Sequence, residues 1–184
     1  MNEPGRPEAQ RIRLVEVDDR TLESLVVVAV RDANADDVTP PIGESEGWSP
    51  ARIDWLRDIH RDRRAGLNGP AGEVTMAIHV GNSVAGAARL KQTSTAGILE
   101  TGIWLAKSAR GQGVGSAAML AVLDVARTLG AIGIRADTTA GNMAALGTLE
   151  RLGFELEPSG DGINVAASCR LFSRSPSSPR RPRS

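Results

Sequence analysis

Gly111, Gly113 and Gly115 lie within five positions of one another in the stretch Arg110-Gly111-Gln112-Gly113-Val114-Gly115-Ser116, and the chain then turns at once into Ala, Met and Leu. A glycine-rich turn that feeds an apolar helix presents unpaired backbone N–H groups at the positive end of a helix dipole. That arrangement binds anions, phosphate above all. Glycine allows the tight path and lets the phosphate approach the main chain. Two carboxylates nearby add proton chemistry. Glu100 stands among Ile98, Leu99, Ile103 and Trp104, and Asp137 ends the run Ile132 to Thr138. A carboxylate among apolar neighbours is costly without partners. Burial of that kind predicts a raised pKa for Glu100, in the range useful to a base. Pairing with Arg89 or Lys91, or escape to solvent at a splayed strand, is the alternative.

The phosphate has three candidate owners. A nucleoside triphosphate loop ends in Gly-Lys-Ser/Thr, and no lysine precedes Ser116. A dinucleotide fingerprint fits Gly113 to Ala118 as G-x-G-x-x-A, with Asp137 as the ribose acid. That fingerprint follows the first strand of its domain on a tight turn, and here several strand-like runs come before it. The third owner emerges from the elements around the loop.

Those elements follow from periodicity and punctuation. Residues 12–17 read as a strand and 20–34 as a helix with one broad apolar face. Residues 35–48, rich in Pro, Gly and acids, read as a loop. Ser49 then caps a second helix with Pro50 at its first position. Residues 74–80 and 83–92 flank Gly81-Asn82 as a hairpin. A strand at 97–106 leads into the glycine turn and its helix. A strand at 132–138, a helix at 142–154 ending at Gly153, and a strand at 163–172 complete the pattern. The expectation is one α/β domain over residues 11–172 with a mixed, mostly antiparallel sheet, ordered β-α-α-β-β-β-α-β-α-β-β. Residues 1–10 form a polar tail, and residues 173–184, rich in Ser, Pro and Arg, form a disordered one.

Composition narrows the class. Lys+Arg and Asp+Glu both total 22, so no broad field draws the chain to nucleic acid or membrane. Cys169 is the only cysteine, and His60 and His79 are far apart, which argues against a disulfide framework and a zinc site. With no apolar leader at the start, the expectation is a cytoplasmic protein without a metal. The sequence leaves the oligomeric state open, a homodimer included.

The stretch Glu100-Thr101-Gly102-Ile103-Trp104-Leu105, the R/Q-x-x-G-x-G/A pattern at 110–115, and the Asn-led helix Asn142 to Phe154 ending in Leu-Gly-Phe resemble two linked motifs of the GNAT superfamily of acetyl-CoA-dependent N-acetyltransferases. Residues 74–172 carry the resemblance. It leans toward the branch of ribosomal-protein N-terminal acetyltransferases. The resemblance implies acetyl-CoA as co-substrate, its pyrophosphate on Arg110, Gly111, Gln112, Gly113, Val114, Gly115 and Ser116. It implies a pantetheine arm paired strand-like along Ile103, Trp104 and Leu105, where a main-chain N–H polarises the thioester carbonyl. Asn142 would contact that arm or cap its helix. Glu100 and Asp137 are the candidate bases. Many relatives place a Tyr where this chain has Leu149, and this chain has no Tyr at all. The loop at 35–48 stands where the family walls its acceptor. Its Asp36, Asp37, Glu44 and Glu46 suggest an acidic lip steering a small cationic amine, such as an aminoglycoside-type antibiotic, with Trp48 flanking it. A role in antibiotic resistance follows from that reading. A protein N-terminus or lysine is the alternative acceptor, and a non-catalytic acyl-CoA-binding module is the alternative of another class.

Overall fold

A computed structural model describes residues 12–43 and 46–171; both expected tails lie outside them. Thirteen residues of apolar and polar alternation become the first pair of strands: β1 (Ile12–Glu16) lies antiparallel to β2 (Glu73–Val80), and β2 to β3 (Ser83–Gln92) through the turn at Gly81 and Asn82. Strand β4 (Ile98–Leu105) continues the meander. Strand β5 (Gly133–Thr139) is parallel to it, and β7 (Asn164–Arg170) and β6 (Glu155–Pro158) close the sheet, in the order β1-β2-β3-β4-β5-β7-β6. The sheet is mixed and mostly antiparallel, as expected. Of the two closing strands, the sequence had located only the last.

The helices cover both faces. Helix α1 (Asp19–Asp32) starts where the Asp18 carboxylate accepts from the Thr21 N–H at 2.7 Å. Its valine run stays helical because Leu22, Leu25, Val26 and Ala29 fall on one stripe, all buried. Helix α3 (Pro50–Asp62) starts at the expected Ser49 cap, which accepts from the Arg52 N–H. These two helices pack on Ala77, Ala87 and Trp104 of the sheet, where small side chains let α1 approach closely. On the other face, α4 (Val114–Thr128) and α5 (Met143–Arg151) cover Ile78, Leu90, Leu99, Ile134 and Ala136. The expected loop at 35–48 contains one short helix, α2 (Ala35–Val38). Among the described residues no helix is long and apolar enough to cross a membrane.

Two places in this scaffold yield predictions. Gly86 on β3 faces β4 so closely that a Cβ would stand 2.1 Å from the Trp104 carbonyl oxygen. Gly86→Ala is expected to lower unfolding free energy by about 1–3 kcal/mol in urea titrations, because backbone must move. His60 lies buried on α3 with its Nδ1 2.8 Å from the Thr75 hydroxyl. Burial first, then the Arg63 and Arg64 charges, push its pKa down to about 4. The unfolded imidazole, near 6.5, therefore binds more protons than the folded one between those values. Its contribution is whole above about pH 6.5 and is lost as pH falls toward 4. Stability measured across that window should drop by at most about 3 kcal/mol on this account, and His60→Gln should remove that part of the slope.

Candidate active site

Strands β4 and β5 pair only from Ile98↔Gly133 to Thr101↔Ala136. Beyond that point each stays bonded to its outer neighbour, β4 to β3 as far as Leu105↔Gly86 and β5 to β7 as far as Thr139↔Asn164. The two inner edges therefore part, and a cleft opens in the middle of the sheet. The Ala106 N–H donates to the Ala85 carbonyl at 2.8 Å. That bond sets the alternation along the ladder: Trp104 and Gly102 share main-chain bonds with β3, while Ile103 and Leu105 turn theirs toward the gap. The Leu105 carbonyl is taken by Arg110 Nε and Nη2, at 3.1 and 2.9 Å. The Ile103 N–H and C=O stand at the cleft wall. Trp104 was expected to line the cleft by its main chain; β3 holds that main chain, and its indole packs into the core under α1 and α3.

The glycine turn lies at the end of this wall. Lys107–Ala109 form a single 3-10 turn, and Gly111 and Gly113 take left-handed φ of 75° and 79°. A Cβ at either would meet nothing within 4 Å, so the space before the main chain is open. Gly113 is the N-cap of α4 and has no side chain to cap it, and no acidic residue stands in the first turn. The first bond of the helix runs from the Ala117 N–H to the Gly113 carbonyl. The N–H groups of Val114, Gly115 and Ser116 are thus left to an outside acceptor. The cradle fits a pyrophosphate. Arg110 was expected to face it as well, but its guanidinium turns back onto the Leu105 carbonyl and the Asp37 carboxylate, 3.0 Å away.

Glu100 and Asp137 share the α1/α3 face with Trp104, since Glu100 pairs in register with Arg135 and Asp137 stands two residues further on. The expected raised pKa of Glu100 is corrected. Burial raises it, but Arg89 at 2.7 Å and Arg135 at 3.0 Å hydrogen-bond one carboxylate oxygen each and, with their charges, lower it below the usual range. Glu100 stays ionised. Asp137 is exposed beside the first unpaired step of the cleft and makes no ion pair or side-chain hydrogen bond among the described residues. Asn142 caps α5, its Oδ1 accepting from the Ala145 N–H at 3.1 Å. Its amide nitrogen has no hydrogen-bond partner among the described residues. Leu149 is buried in the main core.

The acidic lip is also corrected. Asp36 pairs with Arg52 at 2.7 Å and Asp37 with Arg110, so neither offers a free charge to a cation. The Arg52 side chain is 4% exposed, and its Nε has no hydrogen-bond partner among the described residues. Trp48, expected to flank the acceptor, donates its indole N–H to the Ala33 carbonyl, and its partly buried ring packs against the α1/α3 core. Glu44 lies outside the described residues. Sequence reasoning missed Arg52, Arg135 and the Asp32 carboxylate that holds the Ser108 N–H and hydroxyl. Arg52 was legible: with Leu56 and His60 it keeps the spacing of the buried stripe of α3. No group of three or more His, Cys, Asp or Glu among the described residues could hold a metal.

Residues 30–154 match the acetyltransferase (GNAT) family. A search of curated protein sequences returns no match. Among solved structures, the chain is similar to RimL, a ribosomal L7/L12 alpha-N-protein acetyltransferase in complex with coenzyme A, at 16% identity and TM-score 0.69, covering 90% of this chain and 97% of that one. It is similar to Mycobacterium smegmatis RimJ in complex with CoA-disulfide at 20% and 0.70, covering 86% and 81%. It is also similar to the microcin C7 self-immunity acetyltransferase MccE in complex with acetyl-CoA and AMP, at 15% and 0.65, covering 87% and 92%. At these identities the likeness is one of fold.

If Asp36 is structural, Asp36→Asn should strip a buried guanidinium of its partner. The expected cost is about 1–3 kcal/mol in unfolding free energy, with KM for acetyl-CoA unchanged. Unchanged stability with a raised KM for cationic amines would restore the acidic lip.

Proposed function

The chain belongs to the acetyltransferase (GNAT) family, and from that premise we propose that its acceptor is the α-amino group of a peptide or protein. It is an N-acetyltransferase that uses acetyl-CoA. In the proposed site the amides of Gly111 to Ser116 hold the pyrophosphate, and the Ile103 N–H faces the thioester carbonyl. Acetyl-CoA supplies the activated acyl group, and this chain's part is to bind, orient and manage the amine proton. Asn142 is the proposed contact to the pantetheine arm.

The occupation of both Glu100 oxygens by Arg89 and Arg135 carries the acceptor reading. A carboxylate held below its usual pKa by two arginines is a poor base for an alkyl ammonium near 10.4. An α-amine near 8 is partly neutral without help. Glu100 is held by Arg89 and Arg135, so in this reading Asp137, exposed at the cleft mouth, attracts the ammonium and passes its proton to solvent. The surroundings agree. On the Asp137 face, Arg135, Ala166 and Ser168 are exposed across β5 and β7, and the small Ala166 and Ser168 leave a shallow open track suited to an extended chain. RimL, whose name states an alpha-N-protein acceptor, shares this fold. A second reading, a small cationic amine of the aminoglycoside type, rests on the unpaired Asp137 carboxylate.

Release of free thiol from acetyl-CoA tests the proposal against peptides with free N-termini, N-blocked lysine peptides, polyamines and aminoglycosides. Turnover is expected with free N-termini, kcat/KM rising with pH to a plateau near 8 as the α-amine deprotonates. Asp137→Asn should lower kcat/KM for the amine by about 10²-fold or more and leave KM for acetyl-CoA in place. Turnover with aminoglycosides or polyamines alone would move the acceptor to the second reading. Coenzyme A binding with no turnover on any amine would favour the non-catalytic module.

A further inference from the structure

Glu100 is held from two strands, and the two holds are unlike. Arg135 comes from β5, and its side chain is 53% exposed where that of Arg89 is 38%. Arg89 comes from β3 and is seated by its surroundings. The buried Thr101 hydroxyl donates to the Arg89 carbonyl at 2.9 Å. The register partner of Arg89 on β4 is Gly102, and the arginine side chain lies flat over it. A Cβ on Gly102 would stand 3.1 Å from Arg89 Nε, and 3.7 and 3.8 Å from its Cγ and Cδ. From that seat Nη2 donates to Glu100 Oε1 at 2.7 Å, and Nη1 stands 4.0 Å from the buried Glu73. A charge-assisted bond of that length is a strong one, and the more covered of two ion pairs is the less screened. The place matters as much as the strength. Thr101↔Ala136 is the last pair between β4 and β5. Gly102 and Asp137 are the next residues on either bank, so Arg89 lies over the step at which the cleft opens.

From this we propose that Arg89, seated on Gly102, is a positioning residue that sets acceptor specificity: it occupies the Glu100 oxygen that would otherwise take a proton from an alkyl ammonium, and so restricts the acceptor to amines of low basicity. The proposal rests on the reading of the acceptor as an α-amine. Without Arg89, Glu100 Oε1 loses its partner, and burial then favours the protonated carboxyl. The freed oxygen accepts one proton from the ammonium and hands it to solvent. The neutral nitrogen attacks the thioester carbonyl, the C–N bond forms, and the C–S bond breaks with its electron pair on sulfur. The second nitrogen proton goes to solvent, and the thiolate takes one up in turn. Arg89 touches none of the reacting atoms; it acts through Glu100.

Thiol release from acetyl-CoA with a free N-terminal peptide and with an N-blocked lysine peptide tests this, as the ratio of the two kcat/KM values. The parent is expected to prefer the free N-terminus. In Arg89→Gln that preference should fall by about 10-fold or more, through a gain in kcat on the lysine peptide. The pH of half-maximal turnover of that peptide should fall by about one unit for each tenfold gained. Arg89→Lys, which keeps a charge beside Oε1, should retain most of the preference. Gly102→Ala, which crowds the guanidinium without removing it, should move the preference in the direction of Arg89→Gln, by less. Adding Glu100→Gln to Arg89→Gln should abolish the gain. A merely structural role would lower kcat/KM for both peptides alike and leave the ratio and the pH profile in place. That result overturns the proposal, and so does a gain that survives Glu100→Gln. A parent that turns over both peptides equally, or the lysine peptide alone, overturns the acceptor reading itself, and the proposal with it.

Discussion

One missing run of hydrogen bonds organises this protein. After Thr101↔Ala136 the ladder between β4 and β5 stops, while both strands continue with their outer neighbours. Free N–H and C=O groups along a strand edge inside a sheet are ordinarily a defect. It persists here because β3 and β7 hold the strands where they are, and because the two strands run parallel, so the chain must leave β4 at its far end and return. The crossover that returns it is the glycine turn and α4. The cleft and the phosphate cradle are therefore consequences of one topology: a parallel pair inside an otherwise antiparallel sheet places a helix N-terminus at the open end of its own gap.

The faces of the sheet divide the work. On the α4/α5 side the cleft floor is apolar, with Leu99, Ile134, Ala136 and Leu149 all buried. On the α1/α3 side a register row crosses the sheet as Glu73, Lys91, Glu100, Arg135, Ser168 and Glu155, alternating in sign over its first four members. Each of those four charges has an opposite neighbour in register, and the buried Glu73 is met by Arg63 at 3.4 Å. In this row burial alone would raise the pKa of Glu100, and its two arginine neighbours hold it below the usual carboxylate range. Asp137 belongs to the next row, where the pairing has stopped, and so keeps an open side.

The difference between these two carboxylates explains what was legible in the sequence. The order of strands and helices, the Ser49 cap, the Gly81-Asn82 hairpin and the glycine turn are all local, and local chemistry announces them. Glu100 was visible as a carboxylate among apolar neighbours, and Arg89 as a partner, because the adjacent antiparallel strand lies close in sequence. Arg135 was not, since it comes from a parallel neighbour across a crossover. The acidic run at 35–48 misled for the same reason. The run itself holds no Lys or Arg, yet Arg52 and Arg110 reach it from α3 and the turn. Charge in a loop is a local fact; its neutralisation is a tertiary one. Trp48 read as a surface aromatic because its acceptor, the Ala33 carbonyl, lies fifteen residues back at the end of α1.

The absent Tyr and the ionised Glu100 bear on each other. Amide formation from an ammonium removes two protons from nitrogen: one goes to solvent to free the amine for attack, and one is balanced by the proton taken up by the departing sulfur. Leu149 sits inside the core, and the chain has no Tyr, so no phenol stands in this helix. A thiolate near pKa 8.5 leaves without a strong acid, and an amine near 8 attacks without a strong base. An alkyl ammonium two units higher asks for a base that Glu100, between Arg89 and Arg135, is not built to be. Both deficits point the same way. In the proposed site the chain supplies position, a main-chain donor at Ile103 and the Asp137 carboxylate that takes the amine proton to solvent, and it asks for no strong base beyond that. A site of this kind discriminates by the acceptor's own pKa before it discriminates by shape.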